Sequence, residues 1–580
     1  MNNTNIFFLL YKLWIQISNK RKKQFIALVI LMIFTSFAEL ITVGSIFPFL
    51  AALMSPDKIF YHPDFQWIVK LFGIKSIDHI LLPLTIFFIV CVILASFLRL
   101  IQLKYSLLFS FNTGAEIGLN IYRKVLNQPY KIHLSRNSSE VIDGITTKTT
   151  AITDGIIMSS LYIISSFLML IIFLFALSFI APLETLIAFL FFGSFYSVVV
   201  FITKKHQLSN SFKISRESVK VIKSLQEGLG GIRDVLLDGS QNIYCEAYHK
   251  SNSILRRAYA VSSFISASPR FIVEAIGIVI IAFVAFYFSQ SDTGISSAIP
   301  TIGAIVLATQ RLLPIMQLSY GGLANLKRNE YTLFDTLELL KAEQSVITDK
   351  NAIHYINFCN SISLRNISFK YSDNSEVIIK KVNLEIPKGS RIGITGESGS
   401  GKSTLLDIIM GLLEPSSGAI FVDDKPLNNQ NIKAWQKKIA HVPQHIFLID
   451  SSIEENIALG VSKEFIDNDR LTKSASQAQL IETIHNLPLG MATMVGERGA
   501  NLSGGQIQRI GIARALYKNA DLLILDESTG ALDLQTEKKI MDSIHKLNPN
   551  ITILIIAHRL SALDKCTHII QVKNESIGYI

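Results

Sequence analysis

The run Gly396-Glu397-Ser398-Gly399-Ser400-Gly401-Lys402-Ser403 has the spacing of a phosphate-binding loop. Its chemistry would be anion capture. Backbone N–H groups at a helix start cradle phosphate oxygens, helped by the helix dipole. Lys402 brings a charge to the β and γ phosphates, Ser403 can ligate Mg²⁺, and Thr404 opens the following helix. Further along, Leu522-Leu523-Ile524-Leu525 runs into Asp526 and Glu527. Asp526 would hold Mg²⁺ through its water shell, and Glu527 is placed to polarise an attacking water. Gln444, in Val442-Pro443-Gln444, and His558, after the apolar run 551–557, join the set by place rather than by type. Gln444 would reach the metal and the water; His558 would reach the γ-phosphate. Tyr371 stands 25 positions before the loop, where an aromatic ring can stack on adenine.

These side chains need rigid supports, and the sequence supplies them. Arg391-Ile392-Gly393-Ile394-Thr395 and Leu522–Asp526 are short apolar runs of the buried-strand kind. The first passes into the glycine loop and then a helix over 404–413, the strand–loop–helix order a phosphate loop requires. Residues 345–580 continue as short apolar strands alternating with polar helices. That stretch also holds Leu502-Ser503-Gly504-Gly505-Gln506, a serine with bare glycine backbone that would make a second anion site if it stood at a helix N-terminus.

The preceding residues are of a different kind. Hydrophobic residues make up 49% of the chain and charged residues 17%, too apolar for an ordinary soluble enzyme. Six segments are long and apolar enough to cross a bilayer, at about 25–53, 80–112, 152–180, 183–204, 264–289 and 297–322. The net charge of +10 does not indicate nucleic acid, because the basic residues gather between hydrophobic spans. Those stretches hold Lys20–Lys23, then Arg123, Lys124, Lys131 and Arg136, then Lys204, Lys205, Lys213, Arg216, Arg256 and Arg257. They place both termini in the cytoplasm. Cys91, Cys245, Cys359 and Cys566 are far apart and suggest neither a disulfide framework nor a zinc site. Residues 6–17, followed by four basic residues, read as an interfacial helix rather than a cleaved signal. The outer loop 54–79 is rich in aromatics; it reads as an interfacial anchor or as a platform for a lipid tail.

The series Tyr371, Gly396–Ser403, Gln444, Leu502–Gln506, Asp526-Glu527, Asp533 and His558 resembles a complete ATP-binding-cassette ATPase. The resemblance implies an all-α transmembrane domain of six long helices followed by an α/β P-loop ATPase domain with an antiparallel β subdomain. It divides the chain into an interfacial helix (1–24), a six-helix membrane domain (25–325), a linker (326–355) and the ATPase domain (356–580). It implies ATP and Mg²⁺ as cofactors. It also implies that Ser503, Gly504, Gly505 and Gln506 act on ATP held by the opposite cassette, so that a dimer is needed, and a homodimer could hydrolyse at both sites. The sequence departs from the family at Gly530, where serine is usual.

Cargo must be read from charges inside the spans, which are costly there and point to function. Glu39, Arg99, Arg270, Glu274 and Arg311 qualify. Ion pairing accounts for two of the three arginines and leaves one over; a cavity for a phosphate group would use all three. The membrane half also resembles the flippases of lipid-linked oligosaccharides in bacterial protein N-glycosylation. The likeness lies in Ser36-Phe37-Ala38-Glu39, Phe47-Pro48-Phe49, 269–277 and 307–314. It implies that Arg99, Arg270 and Arg311 engage a pyrophosphate, and that segment 59–72 engages the polyprenyl tail. The expected activity is ATP-driven outward flipping of such a lipid across a bacterial inner membrane. The alternative is a peptide or multidrug exporter with the same engine.

Overall fold

The computed structural model describes residues 5–54, 80–180, 182–289, 313–341, 356–372, 374–527, 530, 532–557, 563–573 and 576–579. It divides into two units, Met1–Asn127 with Arg136–Ala342, and Gln128–Ser135 with Glu343–Ile580.

The first unit is helical because a helix satisfies every backbone hydrogen bond inside its own apolar run; even the hydroxyls of Thr35, Ser36 and Thr42 donate to carbonyls four residues back along the same helix. A short helix α1 (Ile6–Gln16) is capped by Asn5, whose side chain accepts from the Phe7 N–H. Then come α2 (Asn19–Met54) and α3 (Leu81–Leu126). The helical run α4 (138–180) is followed by α5 (Pro182–Gly230) and α6 (Gln241–Ser289). The unit closes with α7 (313–328) and α8 (Glu330–Lys341). The 46 residues of α3 span about 69 Å, more than twice a ~30 Å hydrocarbon core. Its basic end, Arg123 and Lys124, therefore extends well past the membrane.

Among the described residues four helices are long and apolar enough to cross a membrane: Asn19–Ile46, Leu81–Leu126, Ser138–Ala176 and Gln241–Val279. Six were expected. The apolar beginning of α5 and the residues ahead of α7 are where the other two were expected, and 290–312 lie outside the described residues. So does the outer loop at 55–79.

Two irregularities fix the packing. Helix α4 contains two π-turns, Gly144–Lys148 and Thr153–Ile157. The second lies against Gly114 of α3, where a Cβ would come within 2.0 Å of Thr153 Oγ1. The Ser110 hydroxyl donates to the Thr153 carbonyl at 2.7 Å, satisfying backbone that the π-turn rearranges. In α6, Pro269 has no N–H to give to the Ile265 carbonyl four residues earlier. The Tyr320 hydroxyl of α7 supplies that hydrogen bond at 2.9 Å.

The second unit holds two sheets. One is antiparallel, in the order β2 (Ile379–Pro387), β1 (Ser361–Phe369), β4 (Ser417–Val422), β5 (Lys425–Pro426). The other is a six-stranded sheet ordered β10 (Ser576–Tyr579), β9 (His568–Lys573), β3 (Arg391–Gly396), β8 (Thr552–Ile556), β7 (Leu522–Asp526), β6 (Ile439–Val442). Pairings from β6 to β9 are parallel; β10 alone is antiparallel. Every residue of β8 is buried, as expected for a central strand covered on both faces. In parallel pairing, β3 and β7 flank β8 and present their C-terminal ends at one edge. That edge carries the phosphate loop and Asp526 together.

Candidate functional site

The loop is shaped by glycine where no other residue fits. Gly396 has φ 154°, and a Cβ there would stand 2.3 Å from the Val572 carbonyl oxygen of neighbouring β9. Gly401 has φ 99°, and its missing Cβ makes room for Ile378 at 3.0 Å. Behind it, α9 (Lys402–Ile409) points its N-terminus into the loop. Lys402 is 8% exposed, and its ammonium donates to the Gly396 and Glu397 carbonyls at 2.7 and 2.8 Å. The Ser400 hydroxyl is buried with no hydrogen-bond partner among the described residues. A buried orphan hydroxyl beside a buried ammonium at a helix N-terminus fits a bound phosphate chain.

Carboxylates converge on the same place. Ser403 hydrogen-bonds the Asp526 side chain, so one hydroxyl and one carboxylate oxygen are already adjacent, as a Mg²⁺ site needs. Burial pushes the Asp526 carboxyl up, as does the charge of Glu527; Lys402 and Ser403 pull it down. Glu527 takes φ 47°, a left-handed backbone that costs a non-glycine residue on the order of 1–3 kcal/mol. Its N–H is held by the Ile556 carbonyl at 3.0 Å, and Gln444 Nε2 donates to its Oε2 at 2.6 Å. Residues 83 positions apart thus meet in one hydrogen bond. The Tyr371 hydroxyl lies 3.2 Å from Thr404 Oγ1, and its ring meets Phe369 edge-on. His558 lies outside the described residues.

The structure adds one group that the sequence reading passed over. Asp407 lies four residues after Ser403 on α9, hence on the same helical face. Burial and the nearby Asp526 charge push its carboxyl up to about 6. The i, i+4 spacing from Ser403 was the available signal.

The segment expected to form a second anion site stands at a helix start. Ser503 caps α10 (Gly504–Tyr517): its N–H donates to Gln506 Oε1 at 2.8 Å, and its hydroxyl accepts from the Gln506 N–H at 3.3 Å. This capping box orders Ser503, Gly504, Gly505 and Gln506 while leaving Ser503 and Gly504 exposed.

With this geometry in view, comparison with known proteins is decisive. A family described as "ABC transporter transmembrane region" matches residues 23–309, and one described as "ABC transporter" matches 379–530. The chain belongs to the ABC transporter family. It is an ATP hydrolase coupled to transmembrane transport, of the exporter type, and it passes the membrane several times. The heterocyst differentiation ATP-binding protein HepA of Nostoc sp. is 26% identical over 97% of this transporter and 91% of its own length. The ATP-dependent lipid A-core flippase of Idiomarina loihiensis is 26% identical over 80% of each chain. A solved bacterial Atm1-family ABC exporter with ATP bound shares the fold, with a TM-score of 0.78 at 21% identity over 97% of this transporter and 95% of that chain.

In the membrane unit of this transporter, Arg99 Nη1 lies 3.5 Å from Glu39 Oε1, joining α3 to α2. The Arg99 side chain is 64% exposed and that of Glu39 is 9% exposed. Arg270 Nε lies 3.9 Å from Glu274 Oε2, one turn along α6, both half-exposed. Each acid named from the sequence therefore meets an arginine. Arg311 lies outside the described residues.

Proposed function

We propose that two copies of this chain form a homodimeric exporter that flips an anionic glycolipid to the outer leaflet of a bacterial inner membrane. The cargo we favour is a polyprenyl-pyrophosphate-linked oligosaccharide. The observation that carries this reading is Arg99, a guanidinium at membrane depth that is mostly exposed although a buried carboxylate anchors it. One edge is fixed by Glu39, and the remaining planar donors suit a diphosphate. Arg270, half-exposed and directly after Pro269 in α6, and Arg311 would share that load. The lipid A-core flippases among the relatives support an anionic glycolipid over a peptide.

The basic stretches between spans support a cytoplasmic position for both termini. ATP would sit between the copies. Lys402, the loop 396–401 and Thr404 would hold its phosphates and Tyr371 its base, while Leu502–Gln506 of the second copy closes on the γ-phosphate. Ser403 and Gln444 would hold Mg²⁺, with Asp526 bound through water; the ion would neutralise phosphate charge. Glu527 would take a proton from the attacking water, oriented by Gln444 and His558. Closing the copies would turn the membrane halves outward, and hydrolysis would reset them.

ATPase activity in proteoliposomes tests the cargo. Polyprenyl-pyrophosphate glycans are expected to stimulate turnover, and peptides and cationic dyes are not. Stimulation by peptides alone would transfer the assignment to a peptide exporter.

A further inference from the structure

Helix α1 is apolar on two sides. Ile6, Leu9 and Leu13, at helical spacing, are buried in a core that also holds Leu333, Leu337 and Leu340 of α8. On another face Phe7, Tyr11 and Ile15, at i, i+4 and i+8, are 68%, 61% and 54% exposed. Phe8 flanks them, with the Lys12 ammonium 4.1 Å from its ring centre. The chain then turns into α2, where Lys22 lies 5.7 Å from the Trp14 ring centre.

The charges here are one-sided. The first 38 residues contain Lys12, Lys20, Arg21, Lys22 and Lys23 and no aspartate or glutamate. Arg21 is engaged by Glu116 of α3 at 2.9 Å. The four lysines border an exposed aromatic ridge at the head of a membrane-spanning helix. A zwitterionic surface would accept the rings at the headgroup boundary but would leave the lysine charge without complement. An anionic phospholipid surface answers both.

We propose that α1 and the Lys20–Lys23 corner form an anionic-phospholipid site whose occupancy regulates ATP turnover. The route is physical: the inner face of α1 packs on α8, which ends at Lys341, two residues before the chain enters the second unit. Lipid that draws the outer ridge of α1 into the interface also sets the seat of α8.

Trp14 reports binding directly. The full chain with Trp67→Phe is titrated in detergent with brominated phosphatidylglycerol or brominated phosphatidylcholine; Trp435 is buried in the second unit and shielded from lipid. Phosphatidylglycerol is expected to quench at lower concentration, by about fivefold for each lysine engaged. Lys12→Gln/Lys20→Gln/Lys22→Gln/Lys23→Gln should abolish that preference. In phosphatidylcholine vesicles, adding phosphatidylglycerol should raise the ATPase rate of the parent chain and not of the quadruple variant. Phe7→Ser/Tyr11→Ser, which changes only exposed side chains, should lose the lipid response and keep the basal rate. Equal quenching by the two lipids, or a preference that survives in the quadruple variant, would overturn the site. Preferential quenching with no ATPase response would overturn its regulatory role.

Discussion

At the phosphate loop one buried ammonium stands against two backbone carbonyls and the Asp526 carboxylate. Lys402→Ala removes the only charge that Lys402 brings to the phosphates. ATPase should fall by on the order of 10²-fold or more, with ATP binding weakened, as a nucleotide titration would report. Glu527→Gln keeps the side-chain shape and removes the proposed base. It should retain ATP and lose turnover by roughly 10²–10⁴-fold, measured as steady-state phosphate release against nucleotide retention. Much of this chemistry was legible, because GxxxxGKS spacing and a carboxylate ending an apolar strand each imply a position. The pairings were less so. That Gln444 donates to Glu527, that Asp407 is pushed up to about 6, and that Arg99 meets Glu39 all depend on contacts between elements far apart in sequence.

The elements hold these groups through backbone features with definite costs. Gly396→Ala would drive a methyl group to 2.3 Å from the Val572 carbonyl at a φ unsuited to alanine. The variant should lose nucleotide binding more than a merely local change would, and its melting temperature should fall. Strand β6 carries His441, whose Nε2 is buried without a partner among the described residues. Burial holds its imidazole below the ordinary 6.5. Its folded pKa is depressed, so below pH 6.5 the unfolded chain binds the extra proton first. Stability contributed by neutral His441 is therefore complete above about 6.5 and is lost as pH falls below it. His441→Gln should flatten the thermal stability of the full chain between pH 7 and pH 5 relative to the parent. The strands themselves were readable as apolar runs, since a buried central strand has little choice of composition. The π-turns of α4 were not: they leave no period in the sequence, and the second is held by close packing on Gly114 and by the Ser110 hydrogen bond.

For the whole molecule, the proposed homodimer would set the one phosphate loop of each chain against the Leu502–Gln506 segment of the other. A chain with Lys402→Ala and a chain with Ser503→Arg should each be inactive alone. Co-expressed, they should form mixed dimers in which one composite site is intact, so random pairing should restore roughly a quarter of the sites. Recovery near zero would contradict shared sites. The cargo bears on the largest scale, because it requires both membrane halves to move. The most direct test of the account is ATP-dependent flipping of a fluorescent polyprenyl-pyrophosphate glycan in proteoliposomes, comparing the parent with Arg99→Ala/Arg270→Ala/Arg311→Ala. The account predicts outward movement by the parent, and loss of movement with basal ATPase retained in the variant. Undiminished flipping by the triple variant, or no glycan movement by a parent that exports peptides, would contradict it.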